Sequence, residues 1–125
     1  MIEDDPQLRK LIRLALQRLG YSVLEAASGV ESLNLWDREA ARIQLLIVDL
    51  VLPDGISGWE LLQQLREKQP GLRAILTSGY SAPLSDAELK SMPGVQFLSK
   101  PFDPAALGRM VRRCLDESNA VRARG

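Results

Sequence analysis

The sequence predicts an α/β domain: a (βα)5 doubly wound sheet of five parallel strands. Three observations lead there. Five short apolar runs alternate with longer amphipathic segments along the 125 residues. The connections have helical length and pattern, and crossovers of that kind join parallel strands and cover both faces of a sheet. Finally, Glu3, Asp4, Asp49, Ser78 and Lys100 all stand where apolar runs end. In open sheets of this class ligands sit outside the carboxyl ends of the strands, at the switch in strand order.

Met1–Asp4 reads as the end of a first strand, with only Met1 and Ile2 before its acids. Asp5 is an N-cap and Pro6 a first helical residue. Leu8, Leu11, Ile12, Ala15, Leu16 and Leu19 then recur at helical spacing, and Gly20 stops the helix. Tyr21–Ala26 is the second strand. Residues 29–41 form a helix with Ser32, Leu33, Trp36 and Ala40 inward, and Leu45–Asp49 is the third strand. Pro53, Asp54 and Gly55 mark a loop. Ser57 and Glu60 have capping-box spacing and open a helix with Leu61, Leu62 and Leu65 inward. Pro70-Gly71 ends it, and Leu72–Ser78 is the fourth strand. Ser85 and Glu88 suggest a second capping box before a short helix ending near Pro93-Gly94. Val95–Leu98 is the fifth strand, and Asp103-Pro104 caps a last helix with Leu107, Met110, Val111, Cys114 and Leu115 inward. The domain is expected over residues 1–118, with 119–125 as a tail.

Composition narrows the function classes. Sixteen basic and sixteen acidic residues cancel, so no global field draws the chain to nucleic acid or a membrane surface. The arginines from Arg109 onward read as a solvated helix face. There is no apolar stretch of bilayer-spanning length and no signal-peptide pattern. The single cysteine, Cys114, has no internal partner and lies on an apolar helical face, which fits a core residue in a reducing cytoplasm. The chain has no histidine, so it holds no histidine metal ligand or general base. Any phosphohistidine donor must lie elsewhere.

The strand ends carry the chemistry. A magnesium ion takes oxygen ligands in a near-octahedral shell and keeps several waters. Glu3, Asp4 and Asp49 can contribute carboxylates, and clustered carboxylates without a cation drive at least one pKa upward. Phosphoryl transfer needs mainly positioning and charge neutralisation. Lys100 can set a point charge against a phosphoryl oxygen, and the Ser78 hydroxyl can hydrogen-bond another. An acid after an apolar run is often only a helix cap, a lone lysine a surface residue and a lone serine a turn. The joint placement after the first, third, fourth and fifth strands points to a magnesium-assisted phosphoryl acceptor.

These residues resemble the receiver domain of two-component response regulators, over nearly the whole chain. The motifs are Glu3-Asp4-Asp5-Pro6, Asp49-Leu50-Val51-Leu52-Pro53, Gly58-Trp59-Glu60-Leu61, Ser78-Gly79-Tyr80 and Lys100-Pro101-Phe102. The resemblance implies a flavodoxin-like sheet of order 2-1-3-4-5. It makes Asp49 the phosphoacceptor, with Mg2+ held by Glu3, Asp4, Asp49 and the backbone carbonyl of Val51. It gives Ser78 and Lys100 the catalytic hydroxyl and lysine positions, makes the Lys100-Pro101 bond cis, and sets Phe97 at the switch aromatic. Phosphorylation would draw Ser78 toward the phosphoryl group and admit Phe97 to the space it leaves. The implied partners are a sensor histidine kinase or phosphotransfer protein, with the domain itself a monomer or weak homodimer rather than an enzyme acting on a separate substrate. The loop from Pro53 to Gly58 is one residue longer than the commonest form. Together with Leu76-Thr77-Ser78-Gly79-Tyr80-Ser81 it resembles receivers of hybrid sensor histidine kinases.

Three other readings are weaker. A haloacid-dehalogenase-like phosphatase needs a second aspartate two residues after the first, where this chain has Val51. A flavodoxin-like binding module needs a phosphate loop rich in Ser, Thr and Gly, whereas Glu3-Asp4-Asp5 repels phosphate. A pseudo-receiver that only contacts proteins has no need of the complete set of acids, serine and lysine.

Overall fold

Three of the described helices begin at caps already read in the chain, Asp5, Ser57 and Asp103, and the fourth begins at Ser28. In the computed structural model, which describes residues 1–53, 55, 57–79 and 94–124 with side chains through 116, Asp5 Oδ1 accepts from Gln7 N and Leu8 N and opens α1, Pro6–Arg18. Ser28 caps α2, Gly29–Glu39, by accepting from Glu31 N at 3.2 Å, and Glu31 reaches back to Ala27 N. Ser57 caps α3, Gly58–Lys68, through Glu60 N at 3.1 Å. Asp103 Oδ1 accepts from Ala105 N at 2.9 Å and starts α4, Pro104–Arg124. These side chains satisfy backbone donors that a helix start leaves without intrahelical partners.

The regular ladder has three parallel strands in the order β1 (Leu45–Asp49), β2 (Arg73–Ser78) and β3 (Val95–Ser99). Asp49 lies level with Thr77, and Ser78 with Ser99, so all three strands end together. The two expected amino-terminal strands are reduced to single parallel bridges. Ile2 pairs with Val48 on one side and Ala26 on the other. Ile2 N donates to Ile47 O and Asp49 N to Ile2 O, while Glu3 N donates to Ala26 O. The sheet therefore runs Ala26, Ile2, β1, β2, β3, the expected 2-1-3-4-5 order, with one-residue ladders where full strands were expected. The physical reason is length, because only Met1 and Ile2 precede the acids.

Alternate residues of the strands enter two cores, as the two-residue period of a strand requires. Leu46, Val48, Ala74 and Leu76 pack with Ile2, Ala26, Trp36 and the leucines of α3. Ile47 and Ile75 face the other way, against Ile12 and Leu16 of α1 and Leu107, Val111 and Cys114 of α4. Leu61, Leu62 and Leu65 are wholly buried, as their spacing predicts. Burial of side chains of this size stabilises by about 1.5–3 kcal/mol each.

Two details go beyond what the spacing alone conveys. Leu11 and Leu19 of the first helical stripe are 50% and 56% exposed, because α1 buries only the narrow i, i+4 pair Ile12 and Leu16. The second helix stops at Glu39 and tightens into a 3-10 turn over Ala40–Arg42, which turns the chain into β1. The helix expected to open at Ser85 lies outside the described residues.

Candidate functional site

Three strand ends and one loop make the site. Glu3 and Asp4 leave the Ile2 bridge, Asp49 ends β1, Ser78 ends β2, and Lys100 follows β3. Glu3 is 3% and Asp49 6% exposed, whereas Asp4 lies in solvent. Ligand oxygens of these three acids all fall within 4.8 Å of one another. Lys100 Nζ bridges two of them, 2.5 Å from Glu3 Oε1 and 2.6 Å from Asp49 Oδ2. Asp49 Oδ1 accepts from Val51 N at 3.0 Å, which orients the carboxylate and holds the next loop over it.

The electrostatics follow from one ammonium facing clustered acids in a dry place. Burial pushes the Glu3 carboxyl up to about 7; the Lys100 hydrogen bond opposes the rise, and Asp4 and Asp49 add to it. Burial alone would lower the Lys100 pKa, but its hydrogen bonds to Asp49 and Glu3 prevail and raise it. Glu3 Oε2 is buried and has no hydrogen-bond partner. A buried carboxylate oxygen in that position is satisfied by a proton or by a cation. The donor set, carboxylates with no nitrogen or sulfur ligand among them, fits a hard cation such as Mg2+. Glu3, Asp4 and Asp49 would hold it, with the Val51 carbonyl as a further candidate.

The structure brings the remaining expected residues to the same edge. Ser78 is fully buried at the end of β2, and its carbonyl accepts from Lys100 N at 2.7 Å. That bond fixes where the lysine side chain starts. The Lys100-Pro101 peptide is cis, as expected. Phe97 is partly buried in β3 and packs against the core on the α3 side. Val51 is 58% exposed and pairs with Ser57 across the loop. Tyr80 lies outside the described residues.

Three supporting roles escaped the sequence reading. A Cβ on Gly58 would stand 2.1 Å from the Asp49 carbonyl oxygen, so the first residue of α3 must be glycine for the helix to meet the acceptor strand. The signal was a glycine directly after an N-cap serine, where most helices tolerate any residue. Arg9 Nη1 donates to the Glu3 carbonyl at 2.8 Å and ties α1 to the acidic segment. Leu50 N donates to Thr77 O at 2.8 Å, extending the ladder one residue past Asp49. Neither of these two contacts has a sequence signature.

Known proteins are similar to this chain in sequence and fold. The family described as response regulator receiver domain matches residues 1–112. The transcriptional regulatory protein GlrR of Escherichia coli K12 is 36% identical over 119 residues, 94% of this chain but 26% of its own length. The receiver domain from the hybrid histidine kinase CckA superposes with a TM-score of 0.77 at 35% identity, covering 91% of this chain and 94% of that one. The response regulator TrrA of Thermotoga maritima, solved in complex with Mg2+-BeF, gives 0.77 at 30% identity over 91% of this chain and 95% of that chain. The chain thus spans about a quarter of GlrR and nearly all of the isolated receivers. With the sheet order, the acidic cluster and the bridging lysine in place, the chain belongs to the response regulator receiver domain family of two-component signalling.

Proposed function

We propose that Asp49 accepts a phosphoryl group from a phosphohistidine on a sensor histidine kinase or phosphotransfer protein. The observation that carries this is the pairing of a buried Asp49 carboxylate with a bridging lysine and two further acids within 4.8 Å. In the step, an Asp49 carboxylate oxygen attacks phosphorus, the donor N–P bond breaks, and the imidazole leaves with that electron pair. Glu3, Asp4, Asp49 and the Val51 carbonyl would hold Mg2+, which would supply neutralisation of the charge that builds up during the transfer. Lys100 gives up its hydrogen bond to Asp49 and turns to a phosphoryl oxygen. Ser78 donates its hydroxyl to another, and Phe97 moves into the space behind it. Asp49 is thus reagent and product in one, and the chain acts on no separate substrate.

The domain comprises residues 1–118, with 119–125 as a tail. It works in the cytoplasm as a monomer or weak homodimer, without nucleic-acid or membrane contact of its own. Its setting is a hybrid sensor histidine kinase or a close partner of one; the loop from Pro53 to Gly58 and the likeness to the CckA receiver support this.

The test is tryptophan fluorescence and thermal melting with Mg2+, then with Mg2+ and beryllofluoride, an aspartyl-phosphate mimic. A metal-dependent rise in melting temperature, enlarged by beryllofluoride and lost in Asp49→Ala, is the expected result. A folded chain that answers neither ligand is a protein-contact module without phosphorylation.

A further inference from the structure

Glu3 and Asp4 stand where the sheet has just ended on their side. Along the Ala26 segment, Ala26 N donates to Met1 O and Glu3 N donates to Ala26 O. A parallel ladder carried one link further would bring Ser28 N to the Glu3 carbonyl. Ser28 instead leaves the sheet and caps α2. The Glu3 carbonyl is taken by Arg9, whose Nη1 donates to it at 2.8 Å. Arg9 is half-buried on α1, while its neighbour Lys10 is exposed. A cation near the start of a helix stands against the helix dipole. A charge-assisted hydrogen bond to a carbonyl offsets that cost.

That one bond acts on both acids. The Glu3 carbonyl belongs to the planar peptide that joins Glu3 to Asp4. With the Glu3 N–H held by Ala26 O and its carbonyl by Arg9, the backbone is anchored on both sides of the Glu3 Cα. The same plane sets the direction in which the Asp4 backbone begins. Asp4 lies in solvent, so burial does not place its side chain. The next fixed point is Asp5, tied to α1 by its cap. We propose that Arg9 is a positioning residue for the cation site. Through the Glu3 carbonyl it holds the Glu3 and Asp4 carboxylates at the spacing that brings them within 4.8 Å of each other and of Asp49. This role rests on the reading of those three acids as cation ligands. It carries a diagnostic sign. By charge alone, removing a guanidinium near the site would favour a divalent cation. Loss of a supporting contact to the ligand segment disfavours it.

The test is Mg2+ calorimetry on Arg9→Met and Arg9→Lys. Arg13→Met is the control, since it removes from the same helix a cation that pairs with Glu25. Arg9→Met is expected to bind Mg2+ about tenfold more weakly than the wild type, and Arg13→Met within about twofold of it. Arg9→Lys keeps the charge and a donor for a single hydrogen bond, and is expected to recover most of the loss. Thermal melting checks that each variant is folded, and Arg9→Gln takes the place of Arg9→Met if that variant is not. Mg2+ binding that is unchanged or tighter without the guanidinium overturns the role of Arg9 alone. An equal loss in Arg13→Met also overturns it, because the effect then belongs to the helix as a whole. A folded wild type that binds no Mg2+ overturns the reading of the three acids, and the role of Arg9 with it.

Discussion

A Cβ on Gly58 would stand 2.1 Å from the Asp49 carbonyl oxygen and 3.0 Å from the Leu50 Cα. The helix that follows the acceptor therefore rests directly on the acceptor's own backbone. Gly58→Ala forces the two apart and is expected to cost roughly 2–3 kcal/mol. It should also weaken cation binding, because the same shift moves Asp49 and Val51. Urea unfolding and Mg2+ titration of the same variant read both effects. Wild-type stability would mean that the helix start shifts freely.

Asp49→Ala is expected to end phosphoryl uptake from acetyl phosphate, since the variant loses the carboxylate that ends β1 and keeps Glu3 against Lys100. Mass spectrometry after acetyl phosphate treatment checks this. Uptake at the wild-type rate would reassign the acceptor.

Lys100 competes with a cation for Glu3 Oε1 and Asp49 Oδ2, which it holds at 2.5 and 2.6 Å. Lys100→Met should therefore bind Mg2+ more tightly, by about tenfold if one charge-assisted hydrogen bond no longer has to be displaced. Phosphoryl uptake should fall in the same variant. Calorimetry and phosphorylation rates moving in opposite directions are the expected signature; a loss of both would make the lysine structural.

Glu3 supplies a pH dependence whose direction follows from its raised pKa. Its carboxyl is pushed from an ordinary 4.5 up to about 7 in the folded chain. Between those values the folded chain holds a proton that the unfolded chain has released. This group's contribution to stability is thus fully present below about pH 4.5 and is lost as pH climbs toward 7. A cation needs the carboxylate, so Mg2+ affinity should rise across pH 5.5 to 7, approaching tenfold per unit for one released proton. Calorimetry in buffers of different ionisation enthalpy counts that proton, and Glu3→Gln should flatten the profile.

Much of this was legible in the chain. Asp5, Ser57 and Asp103 cap helices because a short polar side chain before an apolar stripe has one favourable use, and the structure uses each that way. Glu3, Asp4, Asp49 and Lys100 were legible as a set because parallel strands bring their ends to one edge whatever their separation in sequence. The width of a buried face was not legible. Periodicity marks Leu11 and Leu19 as equals of Ile12 and Leu16, and only the placement of α4 decides which pair is covered. Gly58 was noticed as part of a motif, but its steric role depends on a carbonyl nine residues earlier, which no local pattern encodes.

Ile2 joins the Ala26 segment to β1 by single pairings on each side, and Glu3 follows it directly. Tension applied to the amino end would load those few hydrogen bonds first, while β1, β2 and β3 stay clamped between their two helical layers. The acidic pair would peel from Asp49 at a force too small to unfold the rest. Pulled from that end, the domain would lose its grip on a cation before it lost its shape, and would behave as a latch that releases under load.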